Sequence, residues 1–182
     1  FYLMKPNQQK FDNVTDGMAS EEQQKSSKSL KSASKDIKKV IKKKKLSKAA
    51  NVELDAEGLH IEFKDGLLFE QGSSRTNKQF QKTIDDVLKV IASSGEKYRL
   101  VIEGHTDDTP VARGSAYPSN WELAASRGVS LLRTFQRLGV SEDKMSVVSY
   151  AHTKPKIPVK NLSGEKLRRA RAANRRVVIW LE

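Results

Sequence analysis

The chain has no cysteine in 182 residues and no run of 18 or more apolar residues. The first absence excludes a disulfide scaffold, a thiolate metal site and a cysteine nucleophile, while leaving the compartment open. The second excludes a membrane-spanning helix within this stretch of sequence. A leader pattern of basic, apolar and small-residue regions is also missing. The chain opens on Phe1 rather than Met, which raises the expectation of a fragment or a processed product. Aromatics are only 7% of the residues, and no cluster of them offers a platform for stacking bases.

Charge is present in excess, but unevenly. The net charge is +12; residues 1–50 hold 13 Lys against 5 acids, and residues 51–182 hold 21 basic against 17 acidic residues. The basic excess therefore belongs mainly to the amino-terminal third, and the remainder has an ordinary globular balance. A length of 182 residues fits one domain with an appendage.

Phe1-Tyr-Leu-Met4 is an apolar quartet closed by Lys5-Pro6. Phe11, Val14 and Met18 form a short amphipathic stripe. Leu30, Ala33, Ile37, Val40 and Ile41 form a second stripe in a Lys/Ser-rich background ending in Lys42 to Lys45. A solvated, self-repelling linker is the expectation for residues 20–50; a basic stripe on anionic lipid or against a sister helix is the alternative.

From residue 51 strands and helices alternate. Gly58 to Phe63 reads as a strand, and Thr76 with Gln79 as a capping box before the stripe Phe80, Ile84, Val87/Leu88, Ile91. Tyr98 to Glu103 is a second strand. Ser119 with Glu122 opens a long helix with an apolar face of Trp121, Ala125, Leu132 and Phe135, stopped by Gly139. Met145 to Tyr150 is a third strand, residues 163–173 a basic helix and Val177 to Leu181 a last strand. The expectation is α/β, a βαβαβαβ two-layer sandwich with a mixed sheet, preceded by a helical or flexible tether.

The densest polar cluster is Glu103-Gly-His-Thr-Asp-Asp108, at a strand's carboxyl end, where α/β sheets place ligand sites. An enzyme reading would use His105, Asp107 and Asp108, with His152, as metal ligands or as a base and its orienting carboxylate. Nothing supports it: there is no His-x-x-x-His and no nucleophile elbow, so no catalytic residue, metal or cofactor is expected. A polar loop satisfying its own backbone is the structural alternative. Asn120 and Arg127, seven residues apart, share one helix face, and Arg127 interrupts a small, apolar stretch. Beside a strand-end carboxylate, Arg127 makes either a structural ion pair or half of a zwitterion clamp.

Gly104-His-Thr-Asp107, Tyr117-Pro-Ser-Asn-Trp-Glu-Leu123 running into Arg127, and Asn174-Arg-Arg-Val177 together resemble the OmpA-like peptidoglycan-binding domain over residues 52–182. Within it the chain is most similar to the flagellar stator B subunits, MotB and PomB. The resemblance implies a non-enzymatic wall anchor that grips the D-centre of meso-diaminopimelate in the stem peptide through Asp107 and Arg127. It further implies contributions from Asn120, Thr106, Asn174 and Arg175, with Gly72 and Ser73 on another wall. It carries with it a homodimer, a channel-forming A subunit of the MotA/PomA type, and a periplasmic location in a diderm bacterium, behind a membrane helix ending at Phe1-Tyr-Leu-Met4. The Phe11/Val14/Met18 stripe would then be a plug, and residues 1–50 the membrane-helix end, plug and basic linker ahead of a domain at 51–182. Gly128 stands where the family usually has Ala, Ser149 to His152 where a Gly-rich turn is common, and the Thr109–Pro118 insert is of stator length. An OmpA-family lipoprotein or porin tail is the alternative of like chemistry. A basic nucleic-acid-binding domain, using Lys42 to Lys45 and Arg168, Arg169, Arg171, Arg175 and Arg176, is the distant one.

Overall fold

The computed structural model describes residues 27–95 and 97–182; Phe1 to Met4 and the stripe Phe11, Val14, Met18 lie outside them. Helix α1 covers residues 27–43. Strands β1 (Ala50–Leu54) and β2 (Leu59–Lys64) follow, then a single turn α2 (Asp65–Leu68), α3 (Gln81–Gly95), β3 (Leu100–His105) and α4 (Asn120–Arg137). A 3₁₀ turn (Glu142–Lys144), β4 (Met145–Ala151), α5 (Gly164–Asn174) and β5 (Arg176–Leu181) complete the order.

The five strands form one sheet in the order β1-β2-β5-β3-β4. Only β3 and β4 run parallel, joined by the crossover through α4; the other pairs are antiparallel. The expected α/β class with a mixed sheet is what is found. Strand β1 was not anticipated: Asn51-Val-Glu-Leu54 is a single short alternation and lies directly after a lysine-rich run. Its partner β2 supplies the missing context, pairing Val52 with Ile61.

The solvated-linker expectation does not hold over residues 27–50. Helix α1 places Ala33, Ile37 and Ile41 in the main core, with Ile37 fully buried, and Leu30 and Val40 pack against it. Burying each isoleucine contributes roughly 1.5–3 kcal/mol, enough to outweigh the repulsion among lysines that stay on the wet side. Beyond the helix, Lys44 pairs with Asp86 of α3.

Helix α3 starts later than the Thr76/Gln79 signature suggests. Thr76 bridges to Phe69 instead, and Asn77 Oδ1 accepts from the Gln79 backbone N–H at 3.1 Å. Ser119, by contrast, is the N-cap of α4, accepting from the Trp121 N–H at 3.1 Å. At the other end Gly139 has φ +92°. Gly139 N–H reaches Gln136 O and Val140 N–H reaches Phe135 O, each at 3.0 Å, a Schellman closure that requires the left-handed residue. The buried face of α4 is Leu123, Ala124, Arg127, Gly128, Leu131, Thr134 and Phe135. Trp121, assigned to that face from its spacing, is 45% exposed.

Two glycines set how closely α4 lies on the sheet. A Cβ on Gly104 of β3 would stand 2.3 Å from the Ala124 carbonyl oxygen, and one on Gly128 would stand 2.4 Å from Val147 Cγ1 of β4. Gly128 costs α4 about 1 kcal/mol of helix propensity relative to alanine, and the close approach to β4 is what it allows. Arg127, next to this notch, is thereby carried into the interior.

Candidate functional site

A cleft of about 1320 Å³ opens beside the carboxyl end of β3. Its walls are the turn α2, the 69–77 loop, the Thr106–Asp107 segment, the 109–117 insert, the first two turns of α4, and Arg175. The strand end is bent into place by an irregularity at Gly104/His105, where His105 pairs with Ala151 instead of the next residue in register. Ala151 adopts φ +47°, a strained choice for an L-residue at a position where glycine would be free. Its carbonyl accepts the Thr106 N–H at 2.7 Å. This bulge turns the chain so that Thr106 and Asp107 face the cleft.

Arg127 is 2% exposed. Its Nε donates to the Ser73 carbonyl at 3.0 Å and its Nη2 to Asp65 Oδ2 at 3.0 Å, while its guanidinium lies 5.5 Å from the centre of the Phe69 ring. Asp65, the first residue of α2, is also buried, and its N–H is anchored to the Arg175 carbonyl at 3.1 Å. Burial raises the Asp65 pKa, against the opposing pull of Arg127; burial likewise lowers that of Arg127, with Asp65 working the other way. For both groups desolvation outweighs attraction, as a buried ion pair permits.

Asp107 is held across the cleft. Its Oδ1 accepts the Thr109 N–H at 2.9 Å and its Oδ2 accepts from Arg175 Nη1 at 2.5 Å. Asn120 donates through Nδ2 to the Thr109 carbonyl at 2.9 Å, pinning the start of the insert to α4. The Tyr117 hydroxyl accepts the Ser74 N–H at 3.0 Å and donates to Ser74 Oγ at 2.8 Å, closing the insert against the 69–77 loop. Gly72 turns that loop at φ +65°.

Seven of the eight expected ligand-site residues therefore meet at one cleft: Asp107, Arg127, Asn120, Thr106, Arg175, Gly72 and Ser73 all line it. Asn174 does not. It is 1% exposed and spends its amide on Ile157, donating to the carbonyl at 2.9 Å and accepting the N–H at 2.8 Å, so it staples the loop before α5 rather than facing a ligand. Asp65 is the residue that sequence reasoning missed. The available signal was an acid at the end of a strand, set between Phe63 and the apolar run Leu67-Leu-Phe69. Its partner lies 62 positions away.

The enzyme grouping does not assemble. His105 stacks on Tyr150 with ring centres 5.3 Å apart and has Nε2 3.4 Å from Glu103, away from the cleft lining. Asp108 is taken by Arg171 in two bonds of 2.8 Å. Among the described residues no group of His, Cys, Asp and Glu could hold a metal ion, and no helix is long and apolar enough to cross a membrane. Arg171 is paired with Asp108 and Arg176 with Glu62, whereas Arg168 and Arg169 share Glu165 and stay 79% exposed.

The OmpA family model matches residues 68–174. Motility protein B of Bacillus subtilis (strain 168) is 27% identical over 84% of this chain and 56% of its own length. Motility protein B of Helicobacter pylori (strain 26695) is 28% identical over 88% of this chain and 60% of its own length. The chain thus spans less than two thirds of these relatives. Among solved structures, the periplasmic domain of Helicobacter pylori MotB superposes with a TM-score of 0.62 at 28% identity, covering 73% of this chain and 81% of that one. A putative MotB-like protein of Desulfovibrio vulgaris shares the fold with a TM-score of 0.75 at 22% identity, covering 88% and 98%.

Proposed function

This chain belongs to the OmpA family, and from that membership together with the cleft we propose that it is a non-enzymatic peptidoglycan anchor. The ligand is the stem peptide, gripped at the diaminopimelate D-centre, where an ammonium and a carboxylate share one carbon. The observation that carries this reading is that Arg127 and Asp107, far apart in sequence and opposite in charge, line the same cleft. A buried guanidinium is a strong receptor for a carboxylate because it is already stripped of water and fixed in orientation.

The related motility proteins extend the proposal to a stator B subunit. In this reading the domain lies in the periplasm, works as a homodimer, and holds an ion-conducting complex with a channel-forming A subunit against the wall. The Phe11/Val14/Met18 stripe serves as a plug upstream. Because α1 occupies part of the stretch expected to be linker, the extensible segment is shorter than residues 20–50 unless α1 peels from the core. The pairing of Arg171, Arg175 and Arg176 with Asp108, Asp107 and Glu62 favours the wall ligand over nucleic acid.

The test is co-sedimentation with purified sacculi. Wild-type protein should pellet and be released by soluble muropeptides containing meso-diaminopimelate, while Asp107→Asn, verified as folded by circular dichroism, should stay in the supernatant. Undiminished pelleting of folded Asp107→Asn, or release by moderate salt but not by muropeptide, would reject the clamp.

A further inference from the structure

We infer that Asp65, and not Asp107 alone, receives the ligand's ammonium, and that this residue makes the cleft select a zwitterionic carbon over a plain carboxylate. The inference deepens the proposed wall-anchor reading and rests on it.

The two carboxylates of the cleft differ in what they have left to offer. Both oxygens of Asp107 already have donors, the Thr109 N–H on one and Arg175 on the other. Asp65 accepts its hydrogen bond through Oδ2. Its Oδ1 is buried and has no hydrogen-bond partner, although it lies 3.0 Å from Arg127 Nη2, because that N–H points at Oδ2. The Asp65 side chain is only 10% exposed and lines the cleft. A buried acceptor left without a donor is costly and is unusual in a settled interior. In a cleft wall it is a place prepared for a donor from outside.

The charge count leads to the same residue. Asp65 is influenced by Arg127 from α4, by Arg175 after α5 and by Asp107 after β3, so two acids face two guanidinium groups, while Glu70, Arg75 and Arg113 also line the cleft but with side chains open to water. A ligand carrying one ammonium and one carboxylate leaves that quartet balanced. A bare carboxylate adds a third negative charge around Arg127 in a site poor in water. Burial raises the Asp65 pKa by more than Arg127 and Arg175 lower it, so an ammonium placed beside its free oxygen would offset that cost of desolvation.

The experiment is an NMR-monitored titration at pH 7.5 of wild-type and Asp65→Asn protein with two probes: meso-diaminopimelate, and pimelate, the same seven-carbon dicarboxylate without ammonium groups. Wild type should prefer meso-diaminopimelate, and Asp65→Asn should lose roughly tenfold or more of that preference while keeping or improving its affinity for pimelate. A preference unchanged in folded Asp65→Asn overturns the inference and leaves Asp65 as a mere prop for Arg127. A second readout uses the wild type alone, following the Asp65 carboxyl carbon through a pH titration. Saturating meso-diaminopimelate should lower its midpoint, and a shift confined to Asp107 overturns the inference even if the variant does not fold. Wild type that binds neither meso-diaminopimelate nor sacculi rejects the wall-anchor reading itself, and this inference with it.

Discussion

The cleft and the outer flank of α5 each carry an ion pair between distant aspartate and arginine residues, yet the two pairs do opposite things. Asp108 and Arg171 meet in two parallel 2.8 Å bonds at the surface, with about a third of each side chain exposed. Every donor and acceptor there has good geometry and water at hand, so the pair fastens α5 to the strand end and is worth little else. Asp65 and Arg127 meet in the interior, one oxygen is left over, and both groups are shifted toward their neutral forms by burial. A well-satisfied pair is finished, whereas an incompletely satisfied buried pair is poised for a third participant.

The sharpest way to break this contrast is to remove one partner from each pair. Arg127→Ala strands a buried carboxylate and should destabilise the domain by about 3–5 kcal/mol, read as a lower urea midpoint. Adding Asp65→Asn to Arg127→Ala should recover part of the loss, since neither position then buries a charge stripped of its partner. Arg171→Ala should leave the urea midpoint almost unmoved.

Strain comes next in size. Gly104→Ala would drive a Cβ into the Ala124 carbonyl at 2.3 Å, where backbone must move. A cost of about 1–3 kcal/mol together with weaker sacculus binding is expected, because α4 carries Arg127. Gly128→Ala gains about 1 kcal/mol of helix propensity but meets the Val147 side chain at 2.4 Å. Its net effect on stability should be smaller, and differential scanning calorimetry of the two variants ranks them.

The smallest and most specific effect is in pH. The folded pKa of Asp65 lies above its ordinary 3.8, so its favourable contribution is present below that value and is lost as pH rises through the folded pKa. The folded pKa of Asp108 lies below 3.8, chiefly through its bonds to Arg171, so its contribution is present above that value and is lost as pH falls through the folded pKa. Urea unfolding between pH 3 and 7 should therefore show Asp65→Asn gaining on wild type as pH rises. Asp108→Asn should gain on wild type as pH falls, and parallel curves for the two variants would erase the distinction between the pairs.

Local chemistry made much of the fold legible. Ser119 capped α4 and Gly139 ended it because these are properties of a few adjacent atoms: a hydroxyl within reach of an orphan N–H, and a residue free to take positive φ. Strand β3 and the Gly104-His-Thr-Asp107 turn were readable for the same reason. The stripe of α1 was visible too, but whether Ile37 meets solvent, lipid or core depends on a core assembled from residues spread along the rest of the chain. Trp121 had helical spacing and still faces out, since the side of α4 that is buried was decided by the notches at Gly104 and Gly128.

The sequence by itself determined the alternation of strands and helices, the polar turn at the end of β3 and the presence of Arg127 among small residues, all of them encoded within a turn or two of chain. Tertiary structure alone decided that Asp65 faces Arg127, that Asn174 is spent on Ile157, and that Asp107 already carries a donor on each oxygen. Those outcomes depend on contacts between residues 17 to 68 positions apart, made only once the sheet order β1-β2-β5-β3-β4 is set, and on burial, which changes what a charge costs without changing the residue that carries it.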